Sequence, residues 1–132
     1  MILVDSNIFM YAAGVEHPHR AACIAFIERV ADGKVNAAIN AELLQEILYR
    51  YRSLGRWDEG RLVYDGARTL FENVLPVTGD AIDLARRMLD EYPWLGARDA
   101  VHAAVVEVYA LKGICSFDRV FDRIHGLRRV EP

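Results

Sequence analysis

Along this chain, short runs of consecutive apolar residues alternate with stretches whose apolar positions recur every three or four residues. The first run, Ile2 to Val4, stops at Asp5 and reads as a short buried strand. Pro18 then stands at a helix-start position, and Cys23, Ile24, Ile27 and Val30 follow at helical spacing until Gly33 closes the segment. Val35 to Ile39 form a second strand, after which Asn40 can cap a helix with the stripe Leu43, Leu44, Ile47, Leu48 and Tyr51. Gly55 ends that helix. Trp57 to Glu72, with Val63, Tyr64, Ala67, Leu70 and Phe71 on one face, make a neighbouring helix joined by a short loop, so the two should pack as a hairpin.

The second half repeats the alternation. Val74 to Val77 form a third strand, and Pro76 within it favours an edge position. Asp80 is expected to cap a helix carrying Ile82, Leu84, Ala85 and Leu89, with Pro93 beyond its end. Asp99 opens the next helix, with Val101, Ala104, Val105 and Val108, stopped by Gly113. Ile114 to Phe117 are a fourth strand and Arg128 to Val130 a fifth. Short apolar strands alternating with helices specify the α/β class, a parallel sheet of four or five strands covered on both faces. In such sheets the functional crevice lies at the carboxyl ends of the strands.

Length and composition narrow the class further. At 132 residues the chain fits one domain, spanning 1–132, and 53% hydrophobic with 27% charged residues is ordinary globular usage. Its apolar runs fall far short of the roughly 18–20 residues of a membrane span. The opening MILVD meets an acid at its fifth residue with no basic flank, so neither a secretory signal nor a membrane partner is expected, and the location is expected to be cytoplasmic. Cys23 and Cys115 sit in apolar surroundings without metal-ligand spacing and read as buried thiols. A net charge of −3 would speak against a polyanionic partner, but fourteen of the sixteen basic residues are arginine, the side chain suited to forked phosphate contacts. They concentrate at Arg50, Arg52, Arg56 and Arg61 and again at Arg119, Arg123, Arg128 and Arg129, although a solvated arginine-rich surface would look the same.

The acids carry the chemistry. Asp5 follows the first strand and Asp118 the fourth, so both project at the carboxyl edge, and Asp99, at the head of the helix feeding the fourth strand, falls on the same side. On the helix after Asn40, Glu46 flanks the apolar stripe and can face a cleft, whereas Glu42 lies almost opposite the stripe and should face water. Ordinary explanations stand beside these: Asp99 as a helix cap, Glu46 paired with Arg50 one turn on, Asp118 as a turn residue. Asp5 has no capping pattern that obliges it. Two carboxylates about 5 Å apart repel by roughly 3 kcal/mol at an effective dielectric of 20. A cluster of four therefore needs cations or bound protons, and hard divalent ions fit, since carboxylate oxygens suit Mg²⁺ or Mn²⁺. Such ions would attract a phosphate and support phosphodiester hydrolysis, with Arg50, Arg98 and Arg119 best placed for flanking phosphates. His17 and His19, around Pro18, read as surface or capping residues. His102, one turn after Asp99, reads either as an ordinary half-buried histidine or as a partner of the acids.

In their local settings the four acids resemble the PIN-domain ribonucleases, and specifically the VapC-type toxins of toxin–antitoxin pairs. VDSN at 4–7 matches the family's opening block, with Asp5 in the first metal-ligand place and Ser6 and Asn7 in the polar places beside it. INAELLQEIL at 39–48 supplies Glu46, ARDAVHAA at 97–104 supplies Asp99, and SFDRVF at 116–121 supplies Asp118 with Phe121 as the usual aromatic. One departure is Val120, where many members carry a further acid, for which Asp122 could substitute from the next turn. The resemblance implies a three-layer sandwich of helices around a parallel sheet and a Mg²⁺- or Mn²⁺-dependent endoribonuclease. It further implies an RNA substrate, a small antitoxin that blocks the cleft, and a homodimer. Two other readings remain at this level: a receiver-type α/β domain, which would require a lysine after a late strand where this chain has Lys112 before one, and an inert binding module that retains the acids.

Overall fold

A computed structural model describes residues 1–132. Five parallel strands form one sheet in the order β3-β2-β1-β4-β5. β1 (Ile2–Val4) lies at the centre, β2 (Ala37–Asn40) and β3 (Val74–Leu75) to one side, β4 (Ile114–Cys115) and β5 (Arg129–Val130) to the other. The chain leaves β1 in one direction and later returns to its opposite flank, which makes β1/β4 the point where the strand order reverses. A crevice must open there, above the carboxyl ends of both strands. Leu3 pairs with Ala38 and with Ile114, and Val4 pairs with Cys115, so the register brings residues 5 and 116 side by side.

The helices cover the two faces in separate layers. α1 (Ser6–Ala13), α2 (Arg20–Ala31), α3 (Ala41–Ser53) and α4 (Trp57–Leu70) enclose Val4, Ile39 and Cys115, while α5 (Gly79–Glu91) and α6 (Ala97–Val108) enclose Leu3 and Ile114. Consecutive side chains of a strand point to opposite faces, which is why Leu3 and Val4 enter different cores. Both cysteines are free and buried, and burial raises their thiols to about 11 for Cys23 and about 12 for Cys115. They are packing residues, as expected. Pro76 directly follows the edge strand β3.

Local chemistry explains where elements begin. The Asn40 carboxamide oxygen accepts the Leu43 amide at 2.9 Å and caps α3. The α3–α4 hairpin closes tightly because Gly60 offers no Cβ, which would collide with Tyr51. Several expectations need correction. Residues 6–13, for which no element was anticipated, form α1, capped by Asp5 and buried through Ile8 and Phe9. The cap of α5 is Thr78, which accepts the Ala81 amide, and not Asp80, which sits in the first turn. The inward face of α5 is Ala81, Ala85 and Met88; Ile82 and Leu89 are exposed, because alanines let α5 approach Ala100, Ala103 and Ala104 of α6 closely. Gly96 occupies the cap of α6, leaving Asp99 inside its first turn with no capping bond to make.

Candidate active site

Asp5 ends β1 and is buried. One carboxylate oxygen accepts the Ser6 amide at 2.7 Å; the other accepts the Ser116 hydroxyl at 2.5 Å and the Asn7 side-chain amide at 3.2 Å. Desolvation is the largest influence and raises its pKa despite these donors. Ser116, just beyond β4, also accepts the Asp118 amide at 3.0 Å and the Asn7 amide at 3.1 Å, so one hydroxyl ties the ends of the two central strands together.

Glu46 reaches the same point from α3. Its carboxylate accepts the Ser6 hydroxyl at 2.5 Å and lies 2.6 Å from Nε2 of His102, a fully buried residue of α6. Nε2 is 3.9 Å from Asp5, and one ligand atom each from Asp5, Glu46 and His102 fall within 4.8 Å of one another. Burial would raise the Glu46 pKa, but the bonds from His102 and Ser6 outweigh it and the net shift is downward. For His102 burial disfavours the charged ring, yet Glu46 and the nearby Asp5 raise its pKa above the ordinary imidazole value. Its Nδ1 is 3.1 Å from the Asn40 side-chain nitrogen. Because the Asn40 oxygen is committed to the Leu43 amide, that nitrogen donates to Nδ1, and the proton of the neutral ring belongs on Nε2, aimed at Glu46.

Asp99 is half-buried in the first turn of α6, and its carboxyl is pushed up to about 6, first by desolvation, then by the charges of Asp118 and Asp5. Asp118 is exposed and caps the 3-10 turn Arg119–Arg123 by accepting the Val120 amide at 2.9 Å. The four anticipated acids thus share one electrostatic neighbourhood: Asp5 and Glu46 are linked through Ser6, and Asp99 feels Asp118, Asp5 and Glu46. The Asn7 carbonyl oxygen is buried beside Asp5 without any hydrogen-bond partner, an acceptor that a cation or its water would satisfy. The Asp5 and Glu46 carboxylates, with Asp99 nearby and this orphaned oxygen next to Asp5, offer oxygen donors of the kind that fit a hard divalent ion. Asp122 is tied to Arg129 by two bonds of 2.9 and 3.1 Å, and Arg129 also holds the Ser116 carbonyl at 2.9 Å.

Beside the acids a groove of about 430 Å³ runs between α1 and α3, with Arg50 and Arg98 on its walls; Arg119 is not among its lining residues. Glu42 is not directed at water: its side chain is 19% exposed, it faces Arg98 at 3.9 Å, and burial raises its pKa. The first turn of α3 stands against α6, which covers a face that periodicity alone assigns to solvent. His17 and His19 fall on the capping side of their expectation: His19 is the cap residue of α2 and donates its amide to the His17 ring at 3.1 Å, and both rings are half-buried among Tyr11 and Phe117. Ser116 is the addition to the site, and His102 takes the second of its two readings, a partner of the acids. His102 sits one turn after Asp99 on a helix buried almost throughout, a signal the sequence does carry; Ser116 announces itself only by standing two residues before Asp118. Lys112 pairs through its amide with the Met1 carbonyl at the opposite edge of the sheet, which removes the receiver-type alternative.

Comparisons with known proteins agree with this geometry. Residues 2–127 match the PIN domain model. Ribonuclease VapC13 of Mycobacterium tuberculosis is 38% identical over 130 residues, covering 98% of this chain and 99% of the relative. Among solved structures, Mycobacterium tuberculosis VapC20, described as a sarcin-ricin loop cleaving toxin, superposes with a TM-score of 0.75 at 20% identity over the full length of both chains. A toxin–antitoxin complex from Klebsiella pneumoniae superposes at 0.65 with 16% identity, again over the full length of both chains. No helix is long and apolar enough to cross a membrane. A parallel sheet reversing at β1/β4, acids gathered at that reversal and a family match over nearly all residues lead to one conclusion: the chain belongs to the PIN domain family.

Proposed function

We propose that this protein is an endoribonuclease that uses Mg²⁺ or Mn²⁺ to hydrolyse RNA phosphodiester bonds, and that residues 1–132 act as a single PIN domain. The observation that carries the reading is the convergence of Asp5 and Glu46 at the β1/β4 reversal, with Asp99 near enough to feel both charges and an unpartnered buried oxygen on Asn7, which bonds to Asp5. Asp5, Glu46, Asp99 and Asp118 would hold the ion, with Asn7 beside them. When bound, the ion supplies Lewis acidity that activates water and offsets charge building on the phosphate. The chain's own groups do the rest. Ser6, Asn7 and Ser116 fix both oxygens of Asp5, and His102 with Ser6 fixes both oxygens of Glu46, so neither carboxylate has to reorganise when substrate arrives. Arg50, Arg98 and Arg119 answer the flanking phosphates.

The names of the relatives support a toxin paired with an antitoxin; to the same proposal belong a small antitoxin that covers the cleft, a cytoplasmic location and a homodimer. The decisive experiment is incubation of RNA with the purified protein and Mg²⁺, beside an Asp5→Asn variant. Cleavage by the native chain and loss of at least about 100-fold in the variant, with melting unchanged or slightly raised in the absence of metal, is the expected result. An Asp5→Asn protein that cuts at the native rate sinks the proposal.

A further inference from the structure

Arg129 stands on the edge strand β5, where a long cationic side chain ordinarily runs out to water, yet its side chain is 11% exposed. Its guanidinium makes four hydrogen bonds. Nε and Nη2 donate to the two carboxylate oxygens of Asp122 at 2.9 and 3.1 Å, a fork that matches planar cation to planar anion, and Nη1 donates to the Ser116 carbonyl and to Glu131, each at 2.9 Å. The groups it joins sit directly behind the acids. The Ser116 hydroxyl donates to Asp5 and accepts the Asp118 amide, while its backbone is gripped at both ends, the carbonyl by Arg129 and the amide by the Val130 carbonyl at 3.0 Å. Asp122 lies on the 3-10 turn that Asp118 caps. That turn is anchored through Phe121, fully buried in the α5–α6 core, and through the Asp122 fork to β5. Five residues of 3-10 turn hold their own shape weakly, so these anchors decide where Asp118 stands.

By sequence, Asp122 is free to replace the acid missing at Val120. In the fold both its oxygens are committed, and the Arg129 bonds hold its carboxyl below the ordinary aspartate range. An ion taking either oxygen would have to break the fork and lie beside a guanidinium that repels it. We infer that Arg129 is a positioning residue of the ion site: its fork to Asp122 and its bond to Ser116 keep the Asp118 turn and the Ser116 hydroxyl in place beside Asp5, and Asp122 belongs to this latch and is not an ion ligand. The inference rests on the metal-dependent reading and extends it to residues that shape the site from behind.

The two roles for Asp122 predict opposite signs. If it is a ligand, Arg129→Gln frees a carboxylate and removes a nearby cation, so a divalent ion should bind more tightly. If it is a latch, the same change loosens the site and binding weakens. The test titrates the full-length protein with Mn²⁺ alone, reading free ion by electron paramagnetic resonance. Arg129→Gln and Asp122→Asn should each weaken Mn²⁺ binding by roughly tenfold, the scale of losses behind metal ligands, and the double variant should be no weaker than either single one, because all three break the same tie. Raising Mg²⁺ should restore most of the RNA cleavage rate in both single variants, a recovery that a collapsed fold would not give. Asp122 is half-exposed, so Asp122→Asn carries the test if Arg129→Gln does not fold. Weaker binding in Asp122→Asn beside unchanged or tighter binding in Arg129→Gln would make Asp122 a ligand and overturn the inference. So would unchanged Mn²⁺ affinity in both variants, or cleavage that stays low at saturating Mg²⁺, while cleavage by the native protein still stands. If the native protein binds no Mn²⁺ and cuts no RNA, both readings fall together.

Discussion

Asn40 ends β2, and its carboxamide makes two bonds, one to the Leu43 amide and one to His102, that together decide where a proton sits. Asn40→Asp keeps an oxygen for the cap but replaces the donor facing Nδ1 by an acceptor, so the ring should gain its second proton. Nitrogen-15 spectra of His102 followed through a pH titration should show the imidazolium persisting to higher pH in Asn40→Asp than in the native protein, whose neutral ring carries its proton on Nε2; identical titrations would break the link between the cap and Glu46. Asp99 poses the opposite problem, a charge the fold resists. Its carboxyl titrates near 6 in the folded state and near 3.8 when unfolded, so between these values the folded chain binds more protons than the unfolded one. Stability of the metal-free protein should therefore fall as pH rises from about 4 to about 6 and then level off. Urea midpoints across that range should show a slope that Asp99→Asn reduces and Mg²⁺ opposes.

Among the elements, α4 offers a controlled comparison of two glycines on one helix. Replacing Gly66, with open space around it, by alanine should stabilise by up to about 1 kcal/mol through helix propensity. Gly60→Ala gains the same propensity but drives a methyl into Tyr51, and overpacking of that kind costs about 1–3 kcal/mol, so its melting temperature should drop. Equal shifts in the two variants would contradict the tight hairpin. The hairpin, the five strands, the edge position of β3 and the Asn40 cap were all legible in the sequence because each is signalled by residues within one turn or one run. α1 was not, since its eight residues are apolar nearly throughout and carry no helical stripe. Thr78 and Asp80 stand two apart as equally good caps, and only packing of Ala81 and Ala85 onto α6 chooses between them. The acids were legible as sheet-edge residues, but the Glu42 environment and the Asn40–His102 bond join positions more than fifty residues apart, and nothing in either local pattern announces them.

At the scale of the molecule, one site is assembled from both layers: Glu46, Ser6 and Asn7 come from the α1–α4 side, His102 and Asp99 from α6, and only the short strands β1 and β4 stand between. Leu3 and Asp5 donate their amides to the carbonyls of Gly113 and Cys115, and these bonds form the seam between the two halves. A seam this narrow has no partial way to open. Loosening it would expose Leu3 and Ile114 on one face and Val4 and Cys115 on the other at once, stripping both cores. Deuterium uptake at the Leu3 and Asp5 amides should consequently proceed only through complete unfolding, with the slowest rates in the chain and a denaturant dependence equal to that of the global transition. Faster, denaturant-insensitive uptake there would mean that the halves breathe apart. For a cell this makes the protein all-or-none: a thermal or proteolytic insult leaves either an intact cleft or no cleft, and no half-folded survivor that keeps its acids together while losing the surface a restraining partner would grip.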